Sequence, residues 1–399
     1  MTLSLRSRRA AGLSTAAAAV FALGACGSGE QEQAAREGGA EQGQSRATVT
    51  EPVVATYDGG IYVLDGSTLD VRADLALDGF NRLNPAGDDR HVLVSTSDGF
   101  RVLDATGATL TDVEFPGAEP GHVVRHAGRT VLFSDGTGEV LSFDPHQLGA
   151  GTPETASYTT SEPHHGVAVE LENGELLVTL GNEEERTGIM VLDAGRNEIV
   201  RNEQCPGVHG EATARGETVV IGCEDGVLVY RDGVITKIDS PTEYGRIGNQ
   251  SGTDSSSIVL GDYKQDKDAE LERPTQVSLI DTETGALRLV DLGASYTFRS
   301  LARGPAGEAL VLGTDGAIHV LDPVRGEVVR TIPVIGEWEE PLEWQEPRPA
   351  LFVRGGTAFV SDPGERRLHS VDLGTGEKTA TATLEQVPNE VSGVVAQNH

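Results

Sequence analysis

Three histidines in the middle of the chain have a spacing that suits metal binding. His122 lies in "PGHVVRH", His165 in "PHHGVAVE" and His209 in "PGVHGEAT", each two or three residues after a proline. Neutral imidazole is the commonest metal ligand near neutral pH. Three imidazole nitrogens leave a fourth coordination position for water, a carboxylate or a group from a partner. The pattern therefore predicts a metal site with these three histidines as ligands.

Three neighbouring side chains are secondary candidates. His164 directly precedes His165, and the sequence leaves open which of the two points inward. Glu211 follows His209 by two residues, a spacing that returns to the same face of a regular strand, so it is expected to complete the coordination or to orient an imidazole. Asp135 lies in an Asp-Gly turn and is expected near the histidines but further out. The metal also stays open, because imidazole suits copper as well as zinc. The alternative is that the histidines only cap buried turns by hydrogen bonds.

The elements that position these residues are short strands in a repeat. From residue 52 the chain alternates β-branched runs with Asp/Gly turns, as in "VLVSTSDGFRVLDA" and "TVVIGCEDGVLVYRDG". Alternation with a period of two predicts strands, and Asp-Gly predicts a hairpin. A further short strand precedes each hairpin, and the predicted starts of these strands are near Phe80, His122, His165, His209, Gly248, Phe298, Trp344 and Asn389. Their spacing of roughly 40–50 residues is that of a four-stranded propeller blade.

The two ends of the repeat complement each other. The hairpin at 53–66 has no strand before it, and the strand at 389–396 has no hairpin after it. Sharing one blade would close the ring and remove an open sheet edge. The sequence therefore predicts an all-β fold, a β-propeller of eight four-stranded blades formed by residues 50–399 as a single domain. Seven blades are the alternative, if one unit is an insertion. The three histidines begin inner strands, so they are expected to meet at one mouth of the channel.

The amino-terminal segment predicts export. Residues 1–25 combine arginines with an apolar run that is too short to span a membrane, which is typical of a signal peptide. The run ends in "LGAC", which resembles a bacterial lipobox, so Cys26 is expected to be lipidated and to hold the protein at the outer face of the cell membrane. Plain secretion is the alternative. Residues 26–49 are polar and without a period, which predicts a flexible tether.

The two remaining cysteines are expected to form a disulfide. Cys205 and Cys223 are the only cysteines besides Cys26, and exported proteins commonly oxidise such a pair. In a blade, the start of the first strand and the end of the second strand lie at the same edge. A bond between Cys205 and Cys223 fits that geometry.

The charge of the chain excludes several classes of partner. The formal net charge is −31, which disfavours nucleic acids and anionic membrane surfaces. We expect a monomer that contacts the membrane only through its lipid anchor. The chain has no Gly-x-Ser-x-Gly, no phosphate-binding glycine loop and no His-Glu-x-x-His motif. The sequence therefore does not predict an enzyme.

Several segments resemble a known family. "GHVVRHAGRTVLFSD", "PHHGVAVELENGELLVTLG" and "CPGVHGEATARGETVVIGC" are similar to the AztD family of exported zinc metallochaperones. The resemblance extends over residues 52–395. It implies a β-propeller that binds Zn²⁺ outside the cytoplasm through His122, His165 and His209. It also implies that the ion passes to the solute-binding protein of a zinc ABC importer. Some members carry a histidine-rich amino-terminal segment, whereas residues 27–90 contain no histidine here.

Two other functions remain open from the sequence. A zinc ion held by three histidines with a bound water is also a catalytic arrangement, as in a zinc-dependent hydrolase or a lactonase-like propeller. Glu211 is the only general base that the sequence offers for it. The other possibility is an interaction scaffold without a metal, because the propeller fold does not by itself imply a function.

Overall fold

A computed structural model describes residues 48–395. The predicted signal peptide, Cys26 and nearly all of the tether lie outside the described residues. The described chain folds into eight antiparallel sheets arranged as propeller blades. The all-β prediction and the count of eight blades, rather than seven, are confirmed. The domain boundary near residue 50 stays a prediction.

The strands of the first four blades follow the repeat. Blade 1 begins with β1 (Val53–Tyr57), β2 (Gly60–Leu64) and β3 (Val71–Ala76). Blade 2 contains β4 (Arg82–Pro85), β5 (His91–Ser95), β6 (Gly99–Asp104) and β7 (Thr109–Pro116). Blade 3 contains β8 (Pro120–His126), β9 (Arg129–Ser134), β10 (Glu139–Phe143) and β11 (Thr155–Thr159), with a short 3₁₀ helix (Pro145–Ala150) before the last strand. Blade 4 contains β12 (Ala168–Glu170), β13 (Leu176–Gly181), β14 (Arg186–Leu192) and β15 (Glu198–Asn202).

The second half of the ring continues in the same way. Blade 5 contains β16 (His209–Ala214), β17 (Thr218–Cys223), β18 (Asp225–Arg231) and β19 (Val234–Asp239), and the short β20 (Gly245–Arg246) pairs with β18. Blade 6 contains β21 (Gln250–Ser251), β22 (Ile258–Gly261), β23 (Gln276–Asp281) and β24 (Ala286–Asp291). Blade 7 contains β25 (Leu301–Arg303), β26 (Ala309–Leu312), β27 (Ala317–Asp322) and β28 (Glu327–Pro333). Blade 8 contains β29 (Leu351–Arg354), β30 (Thr357–Asp362), β31 (Arg367–Asp372) and β32 (Lys378–Thr383), and β33 (Val391–Gly393) follows it.

The last strand closes the ring. β33 pairs antiparallel with β1, with Val53 opposite Gly393 and Ala55 opposite Val391. Blade 1 therefore has the order β3-β2-β1-β33 and takes strands from both ends of the described chain. The shared blade predicted from the sequence is present, and its innermost strand is β33 from the carboxyl-terminal segment.

In blades 2 to 8 the first strand is the innermost one, and in blade 1 the innermost strand is β33. These strands contact one another from blade to blade, as β8 does with β12, β16 with β21, and β25 with β29. The middle strands are buried on both faces, and β2, β5 and β17 are buried at every residue. The outer strands alternate between buried and exposed positions, as in β28. Apolar side chains thus pack between neighbouring blades; the rings of Phe115 and Phe143, from blades 2 and 3, stack at 4.8 Å.

One predicted strand start is wrong by seven residues. The innermost strand of blade 8 begins at Leu351 and not near Trp344. Pro347 and Pro349 lie between the two positions, and proline has no N–H group to donate to a sheet. The segment between β28 and β29 is a loop instead, and Trp344 is about half exposed on it. Within residues 48–395, no helix has the length and apolar character that a membrane span requires.

Candidate metal centre

The three predicted histidines come from three consecutive blades. His122 is the third residue of β8, His165 lies in the loop before β12, and His209 is the first residue of β16. The innermost strands all run in the same direction along the channel, so their starts meet at one mouth. The repeat itself therefore brings three imidazoles from residues distant in sequence to one place.

The imidazoles form a compact group. One nitrogen of each lies within 4.8 Å of the nitrogens of the other two. The ring centroids are 5.2 Å apart for His122 and His165, 5.3 Å for His122 and His209, and 4.9 Å for His165 and His209. Nitrogens about 2.05 Å from a tetrahedral zinc ion lie roughly 3.4 Å from one another, so small side-chain rotations would complete the coordination. Within residues 48–395, this is the one group of at least three histidine, cysteine or acidic side chains with such a spacing.

An oxygen atom lies beside the same nitrogen, Nδ1, of each ring, and in His209 and His165 the contact is a hydrogen bond. His209 Nδ1 lies 2.6 Å from the carbonyl oxygen of Gly248. A carbonyl oxygen only accepts, so this Nδ1 carries the proton and Nε2 keeps its lone pair. His165 Nδ1 lies 2.5 Å from Asp135 Oδ2, and His122 Nδ1 lies 3.4 Å from Glu211 Oε2. Each ring thus has its Nδ1 beside an oxygen, which leaves the three Nε2 atoms as the available ligand atoms. Such oxygen partners commonly fix the orientation of metal-binding histidines.

The surroundings of His209 favour its neutral form. Burial is the largest cause that lowers the pKa of His209 well below its ordinary value, followed by the nearby His122 and His165 and then by Arg246. The hydrogen bond with Gly248 acts in the opposite direction. A neutral imidazole is the form that binds a metal, so His209 is prepared for this role at physiological pH.

The structure separates His164 from His165. His164 is buried, with Nδ1 3.0 Å from the carbonyl oxygen of Glu162 and Nε2 3.0 Å from Thr179 Oγ1. Its ring packs edge-on against Phe133. Both nitrogens of His164 are therefore engaged in the blade. His165 is the member of the pair that lies with His122 and His209.

Glu211 reaches the site by a different path from the one expected. The strand is not regular there, because a β-bulge interrupts the pairing of β16 with β17 between His209 and Glu211. Gly210 occupies the bulge at φ +70°, and a Cβ atom there would lie 2.4 Å from the carbonyl oxygen of Gly248. The regular period-two spacing used to place Glu211 therefore does not hold across this bulge. Glu211 contacts His122 instead.

Asp135 lies next to the three histidines but is not one of the converging side chains. Its carboxylate contacts the His165 ring, and Oδ1 also accepts from the backbone N–H of Gly166 at 3.3 Å. Gly121 makes room for it, because a Cβ atom at this position would lie 2.2 Å from Asp135 Oδ1. The glycine next to His122 can be read from the sequence. The contact between a turn residue of one blade and a histidine before the next blade cannot.

A disulfide fixes the segment that leads to His209. Cys205 and Cys223 are bonded, with their Cα atoms 4.9 Å apart, and both are fully buried. Cys205 precedes β16, and Cys223 ends β17. The bond therefore ties the approach of the inner strand to the end of its neighbour, four residues before the candidate ligand.

Comparison with known proteins identifies relatives with this fold. No protein-family model matches the chain. The zinc chaperone AztD of Citrobacter koseri is 24% identical over 297 residues, which are 73% of this chain and 69% of that protein.

Comparison with solved structures also finds the AztD protein of Citrobacter koseri. Two crystal structures of Citrobacter koseri AztD, one of them the apo form, each superpose with a TM-score of 0.74 and 22% identity, over 87% of this chain and 98% of theirs. Hsv2 of Kluyvelomyces marxianus follows with a TM-score of 0.50 and 12% identity, over 76% of this chain and 99% of its own. The resemblance to the AztD family that the sequence motifs indicate is therefore confirmed.

Proposed function

We propose that this protein is a zinc-binding metallochaperone that captures Zn²⁺ at the channel mouth through His122, His165 and His209. The observation that carries the proposal is the convergence of three imidazole nitrogens within 4.8 Å of one another. Three neutral nitrogen donors with an open fourth position suit zinc. A metal carrier needs this open position, because a ligand of the acceptor has to coordinate the ion before the last ligand of the carrier dissociates.

The relative supports zinc as the cargo. The similar protein of Citrobacter koseri is named a zinc chaperone. This chain is accordingly not an enzyme, and neither the hydrolase nor the lactonase function is proposed. Copper remains the metal to compare, because the same donors bind it.

We place the acceptor and the protein outside the cytoplasm. The acceptor in this proposal is the solute-binding protein of a zinc ABC importer. The predicted signal peptide and the lipidation of Cys26 would hold the propeller as a monomer at the outer face of the cell membrane. The disulfide between Cys205 and Cys223 supports this location, because such bonds persist in oxidising compartments.

The first test is zinc binding by the purified protein. A chelator competition titration should give one tightly bound zinc per chain in the parent and none in the triple variant His122→Ala/His165→Ala/His209→Ala. The matched control is His146→Ala, which removes an exposed histidine of the 3₁₀ helix and should leave binding unchanged. Equal binding by parent and triple variant would return the three histidines to a structural role and favour the metal-free scaffold.

The second test is transfer. Zinc-loaded protein is mixed with the importer's solute-binding protein, and the rate of transfer is compared with the rate at which zinc is lost to a dilute fluorescent indicator. The proposal requires transfer to be faster than spontaneous loss. Transfer that never exceeds this rate would rule out a chaperone, even with zinc bound.

A further inference from the structure

A large cavity opens beside one of the three histidines. Its volume is about 910 Å³, and its lining includes His165 but neither His122 nor His209. We call this cavity the vestibule; besides His165 and Asp135 it is lined by loops of blades 3, 4 and 5 that carry Glu119, Glu183, Glu184, Glu185, Glu203 and Glu224.

The exposure of the ligands points toward the same opening. The His165 side chain is 42% exposed, whereas that of His122 is 20% exposed. His209 is partly buried and held by the backbone of the next blade. An ion bound by the three rings would thus be screened by His122 and His209 and approached past His165.

The vestibule is strongly and asymmetrically charged. Seven carboxylates line it, and Arg186 is its one arginine or lysine. Of these carboxylates, Asp135 contacts His165 and Glu203 contacts Arg201, while the other five form no ion pair with any residue of the range 48–395. A cleft lined by one sign of charge focuses the field and raises the local concentration of ligands of opposite charge.

The loop that carries three of these carboxylates has a defined shape. Asn182 Oδ1 accepts hydrogen bonds from the backbone N–H groups of Glu184 and Glu185, at 2.8 and 2.9 Å. The backbone N–H of Asn182 donates to the carbonyl oxygen of Glu185 at 2.8 Å. The side chains of Glu183, Glu184 and Glu185 are exposed. Since Asn182 and not the carboxylates holds the turn, glutamine at these three positions should preserve the loop.

From these observations we infer that zinc leaves through the vestibule, past His165, to a protein acceptor whose approaching surface is positively charged. This inference rests on the proposed zinc-binding function. Complementary charge mainly raises the rate of encounter and selects the partner, with less effect on equilibrium affinity. The acidic vestibule therefore determines which acceptor receives the ion and the rate of transfer, while the three imidazoles determine the zinc affinity.

The test uses two chelators of opposite charge as probes. Zinc removal is followed by stopped flow with triethylenetetramine, a cationic polyamine at neutral pH, and with EDTA, which is anionic. The variant is Glu183→Gln/Glu184→Gln/Glu185→Gln. The matched control is Glu365→Gln/Glu377→Gln/Glu385→Gln, which removes the same charge from three exposed glutamates of blade 8 and the connection after it, on the other side of the ring.

The expected result has opposite signs for the two probes. In the vestibule variant, removal by triethylenetetramine slows about threefold or more, and removal by EDTA accelerates, an effect within the range known for electrostatic steering. Added salt shrinks both differences. The control variant changes both rates much less, and the parent and both variants bind one zinc per chain.

Three outcomes would overturn the inference. Equal effects from the control would show a general charge effect, and changes of the same sign for both probes would show an altered site. Rates that do not depend on chelator concentration would show that zinc dissociates before any acceptor arrives. All three leave the zinc-binding function intact if the stoichiometry holds, whereas absence of zinc in the parent would overturn both proposals.

Discussion

His209 Nδ1 lies 2.6 Å from the carbonyl oxygen of Gly248, so the backbone that leads into blade 6 orients an imidazole carried by blade 5. The contact requires the two backbones to approach closely at Gly210, where the bulge in β16 lies. The geometry of the candidate ligand therefore depends on a residue that carries no functional group.

Replacing Gly210 by alanine should weaken zinc binding. The new Cβ atom would lie 2.4 Å from the Gly248 oxygen, and the backbone is at φ +70°, which disfavours any side chain. We expect zinc affinity to fall by about tenfold or more, as for lost outer contacts of metal ligands. A competition titration measures this.

Gly216→Ala is the control for that change. Gly216 has nearly the same φ, +74°, but no atom within 4 Å of its Cβ position. Both variants should lose about 1–3 kcal/mol of unfolding free energy to backbone strain, while only Gly210→Ala should lose zinc affinity. Equal affinities for the two variants would contradict the role assigned to the bulge.

Asp135→Asn should also weaken zinc binding, because the amide keeps the shape but loses the charge that holds His165 Nδ1. The two side chains are 2.5 Å apart. A decrease of about 10–100-fold in affinity is typical for such a positioning residue. Asp98→Asn, at the corresponding hairpin turn of blade 2, should leave affinity unchanged. Isothermal calorimetry on both variants separates the two cases.

Loss of the Cys205–Cys223 disulfide should destabilise the fold. The bond closes a loop with a sequence separation of 18, for which the chain-entropy estimate is about 3 kcal/mol. In denaturant unfolding of the parent, a reductant should therefore lower the denaturant concentration at the midpoint. A Cys205→Ala/Cys223→Ala variant should unfold at a lower denaturant concentration and ignore the reductant. A midpoint in the parent that reductant does not move would contradict this expectation.

His369 should make the stability fall as the pH is lowered. Burial, with smaller contributions from Lys378 and Arg367 opposed by Asp362, lowers its pKa to about 4 from the ordinary 6.5. Between these values the unfolded chain binds a proton that the folded chain does not, so the folded state loses stability as the pH falls through this window. The total loss is at most roughly 3 kcal/mol at 1.36 kcal/mol per pKa unit.

A His369→Gln variant isolates that contribution. Its unfolding free energy should depend less on pH between about 6.5 and 4 than that of the parent, when both are measured by denaturant titration at several pH values. His146→Gln serves as the control at an exposed position. Parallel pH profiles for the parent and His369→Gln would contradict the prediction.

Arg354→Met should loosen the ring closure without touching the metal site. The guanidinium donates to the carbonyl oxygens of Glu51 at 2.6 Å and Pro52 at 3.0 Å. Leaving the part-buried Pro52 oxygen unpaired should cost about 1–3 kcal/mol, whereas water can replace the guanidinium at the exposed Glu51 oxygen. Arg366→Met, at an exposed position of blade 8, is the control. Unfolding free energies should differ between the two, while zinc affinity stays the same in both; a loss of affinity in Arg354→Met would show that closure and site are coupled.

The repeat could be predicted from sequence because each blade carries its own local signals. Asp-Gly turns and alternating β-branched runs occur in most units, so the eight-blade count depended on many observations. The start of blade 8's inner strand was placed near Trp344 by the repeat spacing, but Pro347 and Pro349 exclude a strand there. Local pattern predicts the blades well, and long connections between them poorly.

The candidate site was predicted only in part, because its finer geometry is not local. The register of the inner strands was enough to single out the three histidines. The choice between His164 and His165 depends on how one loop meets Phe133 and Thr179, and no spacing encodes that. The bulge at Gly210 interrupts the regular spacing between His209 and Glu211. The partner of His209 is the backbone oxygen of Gly248, which any residue type would supply, so the sequence does not reveal this contact.

Closure of the ring by β33 and assembly of the blades that carry the histidines are expected to occur at different stages of folding. Its pairing with β1 joins segments more than 330 residues apart, as in Val53 with Gly393, and contacts of such long separation form late and slowly. The three histidines, in contrast, lie within blades 3 to 5, between Pro120 and Asp239. These blades are contiguous in the chain and can assemble before the ring is complete. We therefore expect the histidine cluster to form while the propeller is still open, so that zinc present during folding would stabilise an early part of the molecule.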